Sequence, residues 1–112
     1  MDFTDLLTAR CAPLRGDAHR LSQAALTEWL EHHAGWALDV DGNVLEKRFA
    51  FADFYKTMAF VNALAWLAHR HDHHPDASFG YNYCVVRFST HDVGGISRND
   101  LICASQTDAL LA

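Results

Sequence analysis

Proline is nearly absent, with only Pro13 and Pro75 in 112 residues. Half of the chain is hydrophobic, so there is material for a core and no compositional sign of extended disorder. No apolar run approaches the ~20 residues of a membrane span, so no membrane association is expected. Basic runs are missing as well. Nine Lys and Arg stand against 14 Asp and Glu, for a net charge of -5 with the histidines neutral. That balance argues against direct nucleic acid binding through phosphate neutralisation. The first residues lack the charged-then-apolar pattern of a signal peptide. Cysteine is sparse and odd in number: Cys11, Cys84 and Cys103 are far apart and form no C-x-x-C pair. They read as buried thiols in a reducing compartment rather than a disulfide framework, which points to the cytoplasm. Without repeats, linkers or low-complexity tracts, residues 1–112 read as a single domain.

What the chain does carry is punctuation. Thr4 can cap a short opening helix with Asp5 in its first turn, and Pro13 and Gly16 mark a loop. Ser22 is placed to cap the next helix, Leu21 and Leu26 to staple it, and Gly35 to stop it, with Leu26, Trp29 and Leu30 facing inward. Trp36–Val40 and Val44–Phe51 read as strands joined at Asp41-Gly42-Asn43. Leu45, Phe49 and Phe51 alternate with Glu46, Arg48 and Ala50, and Lys47 interrupts the apolar face. Asp53 starts the strongest helix. One ridge holds Phe54, Met58, Val61 and Ala65 and a second holds Phe60, Leu64 and Leu67, so the helix should be largely buried. It should end near His71, before Pro75. Phe79–Tyr83 and Cys84–Thr90 read as two further strands, or one long one, and Ser97 opens a last helix with Asp100 at the capping-box position. Strand pairs alternating with helices give an α+β two-layer sandwich, a four-stranded antiparallel sheet with helices packed on one face.

The densest chemistry is histidine. Of 8 in the chain, His69, His71, His73 and His74 crowd the end of the long helix, and His91 follows the last strand. Imidazole both gives and takes protons near neutral pH. Three readings stay open. His69 and His71, in a helix's last turn, suit capping or solvent exposure, and Asp100 suits an ordinary helix cap. A zinc site would use the same ring nitrogens, but only His69 and His73 form an H-x-x-x-H pair, the helix is ending there, and no cysteine is near in sequence. The third reading is a catalytic pocket at the rim of a two-layer fold, with adjacent histidines and His91 reaching one substrate.

The run His69-x3-His73-His74-Pro75-x5-Tyr81-x9-His91-x8-Asp100 resembles the signature of the pterin-4a-carbinolamine dehydratases. Gly35-Trp36, Phe49-Ala50-Phe51-Ala52-Asp53-Phe54, Ser89-Thr90-His91 and Gly94-Gly95-Ile96-Ser97 look like landmarks of the same family, so the resemblance covers about residues 20–108. It implies a small cytosolic enzyme of two-layer α+β fold, commonly a homotetramer, that removes water from 4a-hydroxytetrahydrobiopterin or a related pterin to give quinonoid dihydropterin. It implies no metal and no organic cofactor, and in animals similar proteins also act as dimerisation cofactors of a homeodomain transcription factor. Carried over by position, the active-site histidines fall on His73, His74 and His91, with Asp72 and Asp100 as accompanying acids. Thr90, His69 and Trp36 join Asp72 and Asp100 as candidate substrate contacts. Two positions depart from the family pattern: His69 stands where relatives often carry an acid, and Ala77 where an aromatic is usual.

That implied chemistry suits the residues. Nitrogen lone-pair donation expels the carbinolamine hydroxyl only if the oxygen is protonated, so one imidazole must be charged and a second neutral. A carboxylate beside one ring would separate their pKa values. His73 and His91 are expected to move the protons and His74 to orient the ring system. A non-enzymatic oligomerisation or transcriptional cofactor module on the same fold is the alternative.

Overall fold

Ser22, Asp53 and Ser97 cap the three helices as their positions suggest. In the computed structural model, which describes residues 5–112, Ser22 accepts the Ala25 N–H at 3.1 Å and opens α1 (Gln23–His32). Asp53 accepts the Lys56 N–H at 2.8 Å and opens α2 (Phe54–His71), and Ser97 opens α3 (Arg98–Ala109) with a full capping box. The strands are β1 (Ala37–Leu38), β2 (Leu45–Ala50), β3 (Asp76–Phe79) and β4 (Tyr83–Phe88). They pair antiparallel throughout, in the order β1-β2-β4-β3. This is the expected α+β sandwich.

Register fixes which face is buried. Leu45 lies opposite Phe88 and Phe49 opposite Cys84, so these four and Val86 share the covered face, because side chains alternate along a strand. Trp29 of α1, Phe60 and Leu64 of α2, and Leu101 and Ile102 of α3 complete the core over it. Burying one such side chain is worth about 1.5–3 kcal/mol. Lys47, the polar interruption in β2, is accommodated rather than expelled. Its Nζ donates to Asp108 Oδ1 at 2.8 Å and to the Ala34 carbonyl at 3.0 Å, and lies 4.9 Å from the Phe49 ring centroid. A Cβ at Gly35 would meet this side chain at 2.8 Å.

Several boundaries differ from the sequence reading. Thr4 lies outside the described residues. Residues 5–8 form a single turn, with Ala9 N–H on the Asp5 carbonyl. No helix propagates from it, because the Gln106 amide takes the Leu6 and Ala9 carbonyls. α1 stops at His32, ahead of Gly35, whose φ of +90 belongs to the following turn. β1 is two residues long because Asp39 folds back, its Oδ1 accepting the N–H groups of Asn43 and Val44. β3 starts at Asp76, not Phe79. Gly80 turns the chain instead, its N–H on the Tyr83 carbonyl and the Tyr83 ring so close that a Cβ would meet it at 2.4 Å. The two ridges of α2 are covered unequally. Phe60, Leu64 and Leu67 are buried; in the other ridge Met58 and Val61 are half-buried, Val61 against the core, and Phe54 and Ala65 are exposed, as are Tyr55 and Trp66 outside both ridges.

Candidate active site

The end of α2 positions the first histidine. Asp72 adopts a left-handed conformation (φ 49) and donates its N–H to the His69 carbonyl at 3.2 Å, while His73 N–H reaches back to Ala68 at 3.2 Å. This is a Schellman closure, with an aspartate where glycine is usual. It reverses the chain so that the His73 ring stacks beside Phe88, centroids 6.2 Å apart and 9° from parallel. The same ring meets the first turn of α3, where His73 Nε2 lies 2.6 Å from Asp100 Oδ1. A carboxylate only accepts, so Nε2 carries the proton of this bond and Nδ1 takes no part in it.

Asp100 is fully buried and held from its other side. Its Oδ2 accepts from Thr90 Oγ1 at 2.7 Å and from the Ser97 backbone N–H at 2.9 Å. Thr90 spends its one hydroxyl hydrogen there, so the 2.6 Å contact between Thr90 and Ser97 hydroxyls must be donated by Ser97. The capping carboxylate of α3 thus serves the helix and the histidine together. Burial is the largest influence on His73 and opposes its charged form. The hydrogen bond to Asp100 and the Asp100 charge outweigh it, helped by the charges of Cys11 and Asp72, and hold the imidazole above the ordinary histidine value.

His73 opens onto a cleft of about 440 Å³, whose lining includes Arg70, Asp72, His73, Thr90 and Asp92. The amino-terminal segment also lines it, with Cys11, Ala12, Pro13, Leu14 and Arg15. That segment has no regular structure, and side chains of α2 and α3 anchor it. Asn99 accepts the Ala12 N–H at 3.2 Å and returns a hydrogen bond to the Ala12 carbonyl at 2.7 Å. His71, expected at the surface, is buried: its Nδ1 accepts the Cys11 N–H at 3.2 Å, so Nε2 donates to Gln106 Oε1 at 2.7 Å. None of this wall was visible in the sequence, since each contact joins residues 60 or more positions apart.

The profile of the family described as Pterin 4 alpha carbinolamine dehydratase matches residues 19–110. The chain belongs to this family of hydro-lyases. A Stenotrophomonas maltophilia K279a protein that bears the provisional name pterin-4-alpha-carbinolamine dehydratase is 56% identical over 97% of this chain and 94% of its own length. A Xanthomonas euvesicatoria protein of the same provisional name is 54% identical over 97% and 92%. Among solved structures, a transcriptional coactivator/pterin dehydratase from Brucella melitensis superposes with a TM-score of 0.79 at 28% identity, covering 83% of this chain and 99% of that one. A pterin dehydratase-like protein identified as a RuBisCO assembly factor in the alpha-carboxysome superposes at 0.60, with 32% identity over 70% and 92%.

Within this family member the expected site residues fall into three places. Asp72, His73 and Thr90 line the cleft, with Asp100 buried behind them. His74 and His91 are exposed next to lining residues: His74 directly follows His73, and His91 begins a short 3-10 turn (His91–Val93) between Thr90 and Asp92. Trp36 and His69 are elsewhere. Trp36 is in the core, its indole N–H on Asp108 at 3.0 Å, and His69 is exposed beside Trp66, ring centroids 6.2 Å apart. Among the described residues no group of three or more His, Cys, Asp and Glu side chains is placed to hold a metal ion. None of the helices searched among them is long and apolar enough to cross a membrane.

Proposed function

We propose that the cleft binds a 4a-hydroxytetrahydropterin and eliminates water to give quinonoid dihydropterin. The His73–Asp100 pair carries this reading, because it supplies a histidine biased toward its charged form at the wall of a cleft. His73 acts as general acid. As the ring nitrogen's lone pair forms the new carbon–nitrogen double bond, the carbon–oxygen bond breaks and the hydroxyl leaves as water with the His73 proton. His91, exposed and next to Thr90, takes the nitrogen-bound proton, and His74 orients the ring system. Asp72 and Thr90 contact the substrate from the cleft wall, and Asp100 acts through His73. The reaction changes no oxidation state overall, so acid and base suffice and no cofactor is needed. We assign it to tetrahydrobiopterin recycling in the cytoplasm. The exposed Tyr55, Trp66 and Phe79 support a homo-oligomer, dimer or tetramer, in which this apolar surface is covered.

The decisive experiment is turnover of a 4a-hydroxytetrahydropterin generated in situ and followed by absorbance. His73→Ala should slow dehydration by about 10²-fold or more, the usual worth of a positioned general acid. A variant within a few-fold of wild type would remove His73 from the mechanism. A wild-type protein with no turnover would favour the alternative of a non-enzymatic oligomerisation or transcriptional cofactor module, the coactivator part of the description given to the Brucella protein.

A further inference from the structure

Two of the three cysteines meet at the cleft wall. Cys11 lies on the amino-terminal segment, half-buried and lining the cleft, and Cys103 is fully buried on α3 behind it. Their sulfurs are 3.6 Å apart, and Cys11 Sγ is also 3.6 Å from the Asn99 carbonyl. Cys84, on β4, is buried in the sheet. The proposed dehydration uses none of these thiols, and Cys11 precedes the span 19–110 matched by the family profile.

We propose that Cys11 and Cys103 form a redox-active dithiol that hydrogen peroxide converts to a disulfide across the cleft wall. Access sets the order of events. Peroxide reaches Cys11 from the cleft, whereas Cys103 is sealed from solvent. The Cys11 sulfur attacks one peroxide oxygen and the O–O bond breaks. The departing oxygen leaves as water, and Cys11 becomes a sulfenic acid. The Cys103 sulfur then attacks Cys11, the S–O bond breaks, and the Cys103 proton leaves with the oxygen as a second water. In sum, two thiols and one peroxide give one disulfide and two waters, and a dithiol reductant reverses the change.

Geometry and charge favour this order. Bonding sulfurs sit about 2.05 Å apart, so the pair must close by about 1.5 Å. The partner that shifts would be Cys11, whose segment is held by side-chain hydrogen bonds with His71 and Asn99, whereas Cys103 is fixed within α3. A hydrogen bond from Cys103 stabilises the Cys11 thiolate against the opposing effect of burial; the charges of His73 and Arg98 add to it and that of Asp100 opposes it, and the Cys11 thiol titrates below its ordinary value. Cys103 moves the other way, raised by that hydrogen bond and by burial. Cys11 is thus the thiol set to attack; the Cys11 hydrogen bond and charge that hold Cys103 protonated are lost once Cys11 is a neutral sulfenic acid, which frees Cys103 to resolve it. Oxidation would also withdraw the Cys11 charge that helps keep His73 protonated.

The test needs no pterin and does not depend on the dehydratase reading. Wild-type protein is treated with equimolar hydrogen peroxide near neutral pH, unfolded in iodoacetamide, digested and analysed by mass spectrometry. We expect the Cys11 and Cys103 peptides joined, less two hydrogens, with Cys84 alkylated, and both thiols restored by dithiothreitol. In Cys103→Ala, Cys11 should stop at the sulfenic acid and be trapped by dimedone. If that variant fails to fold, the wild-type result decides alone. Recovery of both cysteines as alkylated thiols after peroxide would overturn the proposal. So would Cys11 as sulfinic acid beside a free Cys103, or Cys11 linked to a second molecule.

Discussion

His73 is a half-buried base kept protonated by its neighbour, and removing the neighbour's charge should reveal the balance. In Asp100→Asn the carboxylate's pull is gone while burial still opposes the charged ring, so the His73 pKa should fall. The decline of kcat/KM with rising pH, which marks loss of the general acid, should then move to lower pH in the variant. An unmoved decline would separate Asp100 from the acid. The same bias has a consequence for folding. A histidine whose folded pKa is raised favours the folded state fully below its unfolded value near 6.5 and loses that contribution as pH rises through the folded value. Urea midpoints of the wild type should therefore drop across that window relative to His73→Ala, which lacks the titration. His73, Thr90 and Asp100 could be picked out from the chain because they stand in runs that resemble a family's; spacing alone left the histidines open between three readings. His71 could not: its neighbours suggested a surface cap, and what buries it is a backbone N–H from Cys11.

At the level of elements, the turn after α2 is the piece on which the histidine depends. Asp72 tolerates the left-handed conformation, but a β-branched residue does not. Asp72→Val should cost about 1–2 kcal/mol in denaturant unfolding, and dehydration should fall with it, since the turn sets where His73 meets Asp100. Loss of stability with unchanged turnover would mean that the ring finds its partner without the turn. Helix starts were legible because Ser22, Asp53 and Ser97 announce themselves chemically. Strand ends were not. β3 is exposed at every position and shows no alternation to read, and β1 is cut short by a side chain of Asp39 that takes two backbone donors.

Across the whole molecule, the least legible part was the cleft's amino-terminal wall. Composition and periodicity describe neighbours in sequence, whereas Leu6, Cys11 and Ala12 are fixed by Gln106, His71 and Asn99. A protein trimmed to residues 19–110 would leave the Asn99 and Gln106 amides without these partners and uncover the site of buried Leu6. Water can take over the freed amides, but the lost burial of a leucine costs about 1.5–3 kcal/mol. The melting temperature should fall by about 10 °C or more, and an unchanged value would show the segment to be ornamental. The His73–Asp100 pair lies wholly inside that shorter span. Shortening the chain would therefore dismantle the pocket without touching its chemistry: the acid survives, but part of the mould that a visiting ring system has to match is gone.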